Sequence, residues 1–304
     1  MPKNQHPRGV FAAAVTPLNS DFSLDQNSIG RLLLFLAERG CHGALLFGTT
    51  GEGPSFAANE RISAMRSAIQ ARQAIPNFQL LAGTGAPSLE ETAALTKAAF
   101  DMGINGVVVL PPYYFKKIDE DGLFLWYSQV IKKAVPSDGC FFAYHIPTVS
   151  GIAMSYDLLA RLKDNFPNQF AGIKDSTGDA ENSRLLGERF GKELVVFTGN
   201  DRLFSTALNN HASGCITAMA NICSPDLRII WDAHQNGMVK MDVQNQLDTY
   251  RKVMDQYPPA PSFIKAMLAQ RYCFPNWKVR PPLLPLSAPV FTQALNEWDA
   301  VDHV

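Results

Sequence analysis

The chain alternates between two hydrophobic textures. Short, nearly continuous apolar and β-branched runs recur through the first 220 residues: 9–17 (GVFAAAVTP), 43–48 (GALLFG), 78–83 (FQLLAG), 106–111 (GVVVLP), 140–145 (CFFAYH), 170–175 (FAGIKD), 194–199 (LVVFTG) and 214–219 (GCITAM). Runs that are apolar on both pleat faces predict strands covered on both sides, as in a parallel sheet flanked by helices. Between them the period becomes helical. Ile29, Leu32, Leu33 and Leu36 fall at i, i+3, i+4, i+7, and Ser23 with Gln26 predicts a capping box ahead of them. Ser88 and Glu91 predict the same box before a helix ending near Met102, and Ser155 predicts a cap for 156–165. Ser224 followed by Pro225 predicts an N-cap and a proline at N1 of a helix running to about Gln235.

Eight strand–helix units predict an α/β protein whose parallel strands close into a (β/α)8 TIM barrel. An open doubly wound sheet would stop at about five or six strands and carry a G-x-G-x-x-G turn after the first; no such turn follows the first strand here. The barrel is expected to span 1–236. The remainder, 237–304, is rich in helix formers and broken by proline clusters at 258–261 and 281–282. It reads as a three-helix extension packed on the barrel, because about 70 residues make a small independent core.

Composition narrows the partners. Across 304 residues, 27 basic and 28 acidic side chains leave a net charge of −1, which provides no electrostatic footprint for nucleic acid or an anionic membrane surface. No apolar run approaches the length of a membrane span. The polar start MPKNQHPRG lacks the apolar segment of a signal peptide, so a cytoplasmic protein is expected. Cys41, Cys140, Cys215, Cys223 and Cys273 are odd in number and form no C-x-x-C pair, which disfavours a disulfide framework or zinc ribbon. His6, His42, His145, His211, His234 and His303 make no metal-ligand spacing either.

In such a barrel the chemistry sits at the C-terminal ends of the strands. Those ends read Gly48-Thr49-Thr50-Gly51-Glu52-Gly53, Pro111-Pro112-Tyr113-Tyr114, Tyr144-His145, Lys174-Asp175, Gly199-Asn200-Asp201 and Thr217. Lys174 and Asp175 point to opposite faces, since side chains alternate along a strand. Turned inward, the Lys174 ammonium enters an apolar interior that disfavours its charge, and a neutral amine can attack a ketone to form a Schiff base. Turned outward, it is a solvated lysine paired with Asp175; position alone leaves both open. Tyr144, 30 residues earlier, ends the neighbouring strand about 4.8 Å away. Its phenol can move the protons that carbinolamine formation requires, although alone it reads equally as a core tyrosine. The glycines of 48–53 let backbone amides approach an anion, carboxylate or phosphate, and the loop lacks the Lys-Ser/Thr ending of a P-loop. An ordinary turn would look the same. Glu52 reads as bonded within its own loop in preference to a general base, and His145 as directed away from the pocket.

Together these motifs resemble the dihydrodipicolinate synthase / N-acetylneuraminate lyase family of class I pyruvate-dependent aldolases. The marks are Val15-Thr16-Pro17, Gly48-Thr49-Thr50-Gly51-Glu52, Pro112-Tyr113-Tyr114, Tyr144-x-x-Pro147 with Gly151, Gly172-Ile173-Lys174-Asp175 and Gly214-x-Ile216, in that order over nearly the whole chain. The resemblance implies a (β/α)8 barrel with a C-terminal helical extension. It implies that Lys174 is the Schiff-base lysine for a 2-oxo acid and Tyr144 the proton-shuttling tyrosine. Thr50 matches the hydroxyl linking that tyrosine to a second one, matched by Tyr114 and supplied by a neighbouring subunit. The amides of Thr49 and Thr50 match the holders of the 2-oxo acid carboxylate, and Ile216 a position whose backbone lines the pocket. No metal and no cofactor are implied, and the resemblance implies a homotetramer, a dimer of dimers.

One position departs from the pattern. Authentic synthases place an arginine two residues before Gly151, where this chain has Val149. Without that bidentate clamp, binding of aspartate semialdehyde is expected to suffer. An apolar residue there is more similar to the lyases and sugar-acid aldolases, and Asp201 is a candidate for binding substrate hydroxyls. The expected reaction joins or splits pyruvate and an aldehyde or a 2-keto-3-deoxy sugar acid. The alternative is a true 4-hydroxy-tetrahydrodipicolinate synthase with another group replacing the arginine.

Overall fold

A computed structural model of the chain describes residues 6–302; residues 1–5 of the polar start and His303 lie outside the described residues. Eight strands form one closed barrel in chain order: β1 (Gly9–Ala13), β2 (Gly43–Leu46), β3 (Gln79–Gly83), β4 (Gly106–Val109), β5 (Phe141–His145), β6 (Phe170–Asp175), β7 (Val195–Thr198) and β8 (Gly214–Thr217). Each pairs in parallel with the next, and β8 with β1. All eight fall inside the apolar runs of the sequence.

The helices between them are α1 (Gln26–Glu38), α2 (Ala58–Arg72), α3 (Leu89–Asp101), α4 (Glu120–Ala134), the single turn α5 (Pro147–Ser150), α6 (Tyr156–Asn165), α7 (Ala180–Phe190), α8 (Phe204–Asn209) and α9 (Ser224–Gln235). Three more follow: α10 (Met241–Gln256), α11 (Ala260–Tyr272) and α12 (Ala288–Asp302). Two of the expected caps differ. Asp25, not Ser23, caps α1 by accepting from Ser28 N, because Ser23 is committed to Asp21 within the preceding turn. Ser224 is the first residue of α9 and wholly buried, and Cys223 takes the cap position. Ser88 and Ser155 cap α3 and α6 as expected.

Alternation sorts the strand residues into two cores. Outward side chains join the layer beneath the helices. Inward ones form a plug that includes Phe11, Leu45, Leu81, Phe142, Phe197 and Ile216. Within it Phe197 meets Phe11 and Phe142 edge-on at centroid distances of 5.4 and 5.7 Å. Burying each such ring contributes about 1.5–3 kcal/mol, so the barrel is filled and any ligand must sit on top of the plug.

The barrel departs from simple alternation where β5 meets β6. Phe141 lies opposite Phe170, but Phe142 lies opposite Gly172, leaving Ala171 as an extra residue. Phe170 faces outward, and plain alternation would turn Lys174 outward with it. The bulge reverses the parity. It needs Gly172, since a Cβ there would lie 1.9 Å from the Val195 carbonyl oxygen.

Candidate active site

Past the bulge, Tyr144 and Lys174 are register partners, as are His145 and Asp175. The first pair points into the barrel mouth. Lys174 is 3% exposed, and its Nζ lies 4.2 Å from the centroid of the Tyr144 ring. Among the described residues no carboxylate pairs with it. Asp175, the alternative partner, faces the other side, where its Oδ1 meets His145 Nδ1 at 2.9 Å and its Oδ2 accepts from the Thr177 hydroxyl at 2.8 Å. His145 therefore points away from the mouth, as expected.

The Tyr144 hydroxyl is the meeting point of the site. It lies 3.1 Å from Thr49 Oγ1, and Lys174 and Ser176 also act on it electrostatically. Burial raises the pKa of this phenol, but the Lys174 charge and these polar neighbours outweigh it, so the pKa falls below that of an ordinary tyrosine. A phenol that releases its proton more readily than an ordinary tyrosine is suited to donate and recover a proton beside the Lys174 nitrogen. The hydroxyl on Tyr144 thus belongs to Thr49, not to Thr50 as expected. The turn directs Thr49 outward over the mouth and buries Thr50 beneath it. Ser176 is a site residue that sequence reasoning missed. Its one available signal is its place two residues after Lys174.

The Gly48–Gly53 loop is braced from within and from outside. Glu52 N–H donates to the Thr49 carbonyl, Gly53 N–H to the Gly48 carbonyl, and the Thr16 hydroxyl to the Gly51 carbonyl. Among the described residues the N–H groups of Thr49 and Thr50 donate to no protein group, which leaves two amides beside Tyr144 for an anion. The Glu52 carboxylate is neither bonded within its own loop nor placed as a base. Its Oε1 meets Lys265 Nζ of α11 at 2.6 Å, and its Oε2 accepts from Arg280 N at 2.7 Å.

The remaining candidates scatter. Ile216 is buried in the plug. Val149 is 55% exposed on α5. Tyr114 is 74% exposed, and its ring meets that of Phe115 at a centroid distance of 5.1 Å. Asp201 fails as a binder of substrate hydroxyls. It is 0% exposed, and its Oδ1 is held by Arg251 Nη1 of α10 at 2.9 Å. A cavity of about 550 Å3 lined by His6, Arg8, His42, Asn77 and Gln79 opens at the opposite, N-terminal end of the barrel.

The sequence profile of the Dihydrodipicolinate synthetase family matches residues 6–296. An uncharacterized DapA-like lyase of Chloroflexus aurantiacus is 38% identical over 283 residues, which is 92% of this chain and 92% of that one. A 4-hydroxy-tetrahydrodipicolinate synthase of Cellvibrio japonicus is 33% identical over 216 residues, 71% of each chain. The crystal structure of dihydrodipicolinate synthase from Agrobacterium tumefaciens superposes with a TM-score of 0.88 at 27% identity, covering 97% of this chain and 99% of that one.

Proposed function

The chain belongs to the dihydrodipicolinate synthetase family and is a lyase of the class I aldolase type, and from that premise we propose that Lys174 forms the Schiff base, with pyruvate or a related 2-oxo acid as its substrate. The observation that carries this reading is the inward Lys174 side chain over the Tyr144 ring, with no carboxylate paired to it among the described residues and Asp175 turned to His145. The 2-oxo acid carboxylate is taken by the free amides of Thr49 and Thr50. The neutral amine adds to C2, and Tyr144 passes the nitrogen proton to the former carbonyl oxygen, with Thr49 and Ser176 orienting the phenol. The departing hydroxyl takes the Tyr144 proton and leaves as water, giving the protonated C2=N and a Tyr144 phenolate; the phenolate takes a C3 proton, giving an enamine whose C3 adds to an aldehyde carbon while the aldehyde oxygen takes that proton back. Water then hydrolyses the C2=N bond to release the product and the lysine amine, and the reverse sequence splits the product. No cofactor enters these steps.

Val149 directs the substrate reading. An exposed apolar side chain at that place offers no clamp for a second carboxylate, so the favoured partner is an uncharged aldehyde or a 2-keto-3-deoxy sugar acid. True synthase activity is the second reading, favoured by the name of the Cellvibrio japonicus relative. Tyr114, exposed on its own protomer, is assigned to a neighbour's site in a homotetramer. The reading places the enzyme in the cytoplasm, where thiols stay reduced. Among the described residues no helix is long and apolar enough to cross a membrane.

Borohydride reduction in the presence of pyruvate tests the mechanism: one adduct of about 72 Da is expected, on the peptide carrying Lys174. An adduct on another lysine, or none, overturns it. Pairing pyruvate with aspartate semialdehyde, glyoxylate, glyceraldehyde and sugar aldehydes tests the partner, and preferential turnover of aspartate semialdehyde would favour the second reading.

A further inference from the structure

The loop that carries Thr49 is gripped by the last quarter of the chain. Glu52 sits in the left-handed region at φ 56°, a conformation that costs a non-glycine residue about 1–3 kcal/mol and persists only where its surroundings hold it. Its carboxylate is fully buried, which is unfavourable without a partner. Lys265, 1% exposed on α11, supplies that partner and also donates to the Lys278 carbonyl at 2.6 Å. Arg280 contributes its backbone N–H to the same carboxylate, while its guanidinium binds Glu60 at the start of α2. Both flanks of the turn are thus tied to the C-terminal extension. Glu52 N–H in turn donates to the Thr49 carbonyl at 3.1 Å, so the grip reaches the residue whose hydroxyl touches Tyr144.

We infer that the Glu52–Lys265 ion pair is a positioning device through which the C-terminal extension sets the Thr49 hydroxyl against Tyr144. This rests on the Schiff-base reading above. Neither residue touches the reacting atoms; both act through the backbone of Thr49. Displacing a positioned group by about 1 Å can slow a step by about a hundredfold, so a brace far from the substrate can control the rate.

The test is a coupling cycle read at saturating pyruvate, where weaker substrate binding drops out of the rate. Glu52→Gln/Lys265→Met removes both charges together and leaves no unpaired buried ion. With Thr49→Val as the second arm, each is expected to slow borohydride-trappable adduct formation by about tenfold, and the triple variant to match Thr49→Val within about threefold. Lys265→Arg, which keeps the ion pair, is expected to retain most of the wild-type rate, and Glu52→Asp, which keeps the charge but shortens its reach, serves as the first arm of the cycle if the charge-free variant does not fold. The inference is overturned if the variants lower Tm but leave the trapping rate unchanged, or if the two slowdowns multiply. Absence of any adduct in the wild type instead defeats the Schiff-base reading itself.

Discussion

Two lysines lie at nearly the same depth, 3% exposed at the barrel mouth and 1% exposed at the junction with the C-terminal helices, yet their surroundings are opposite. Lys265 has a carboxylate at 2.6 Å and a carbonyl at 2.6 Å. Lys174 has the face of a tyrosine ring and a hydroxyl whose proton affinity is lowered. Burial pushes the Lys265 pKa down, and the Glu52 carboxylate opposes that fall by holding the ammonium in an ion pair whose separation would leave an uncompensated charge. Among the described residues Lys174 has no such carboxylate; its nitrogen lies over a tyrosine ring whose hydroxyl can relay protons. On the Schiff-base proposal, burial alone does not mark the reactive lysine; the group beside it does.

The sharpest way to break the contrast is to remove each lysine in turn. Lys174→Ala is expected to abolish both turnover and the pyruvate adduct, a loss of at least about a thousandfold. Retained activity would falsify the assignment. Tyr144→Phe keeps the ring beneath Lys174 but removes the proton acceptor, and should lower kcat by about 10² to 10⁴. If kcat is unchanged while only KM rises, the phenol is a binding group and the contrast loses its chemical half.

The strands were legible because a wall buried on both faces is written as continuous apolar runs. The direction of Lys174 was not. In the stretch Phe170-Ala171-Gly172-Ile173-Lys174-Asp175 alternation from the outward Phe170 gives the wrong face, and only the bulge at Ala171 corrects it. Gly172 is the sole local trace of that bulge. Thr49 and Thr50 are adjacent and chemically identical, so which hydroxyl meets Tyr144 depends on a turn that composition does not specify. Asp201 and Glu52 were misread for another reason. Their partners, Arg251 and Lys265, are 50 and 213 residues away in the chain, and an ion pair at that separation leaves no periodic signal.

Lys265→Met sharpens the other half of the contrast. It strands the Glu52 carboxylate in the interior, and breaking a buried pair in this way costs about 3–5 kcal/mol, read as a large fall in the chemical denaturation midpoint. The residual folded protein should still form the pyruvate adduct on Lys174, since the two amines serve different ends. If stability is unaffected, the pair does not hold the turn and the left-handed Glu52 needs another explanation.

Lys97 provides the lower bound. Its Nζ lies 2.8 Å from Asp101 on α3, as close as many buried contacts, but both side chains are more than 60% exposed. Solvent screens the attraction, two long side chains must be ordered to make it, and the pair runs in the less favourable order for an i,i+4 contact. Alanine at this position is also the better helix former. Lys97→Ala is therefore expected to change stability by no more than about 0.5 kcal/mol, or roughly 1–2 °C in Tm by calorimetry. A shift of several degrees would mean that distance alone ranks these lysines. A shift within that bound leaves burial to set how much an ion pair matters, and the partner's acidity to set whether the lysine can react.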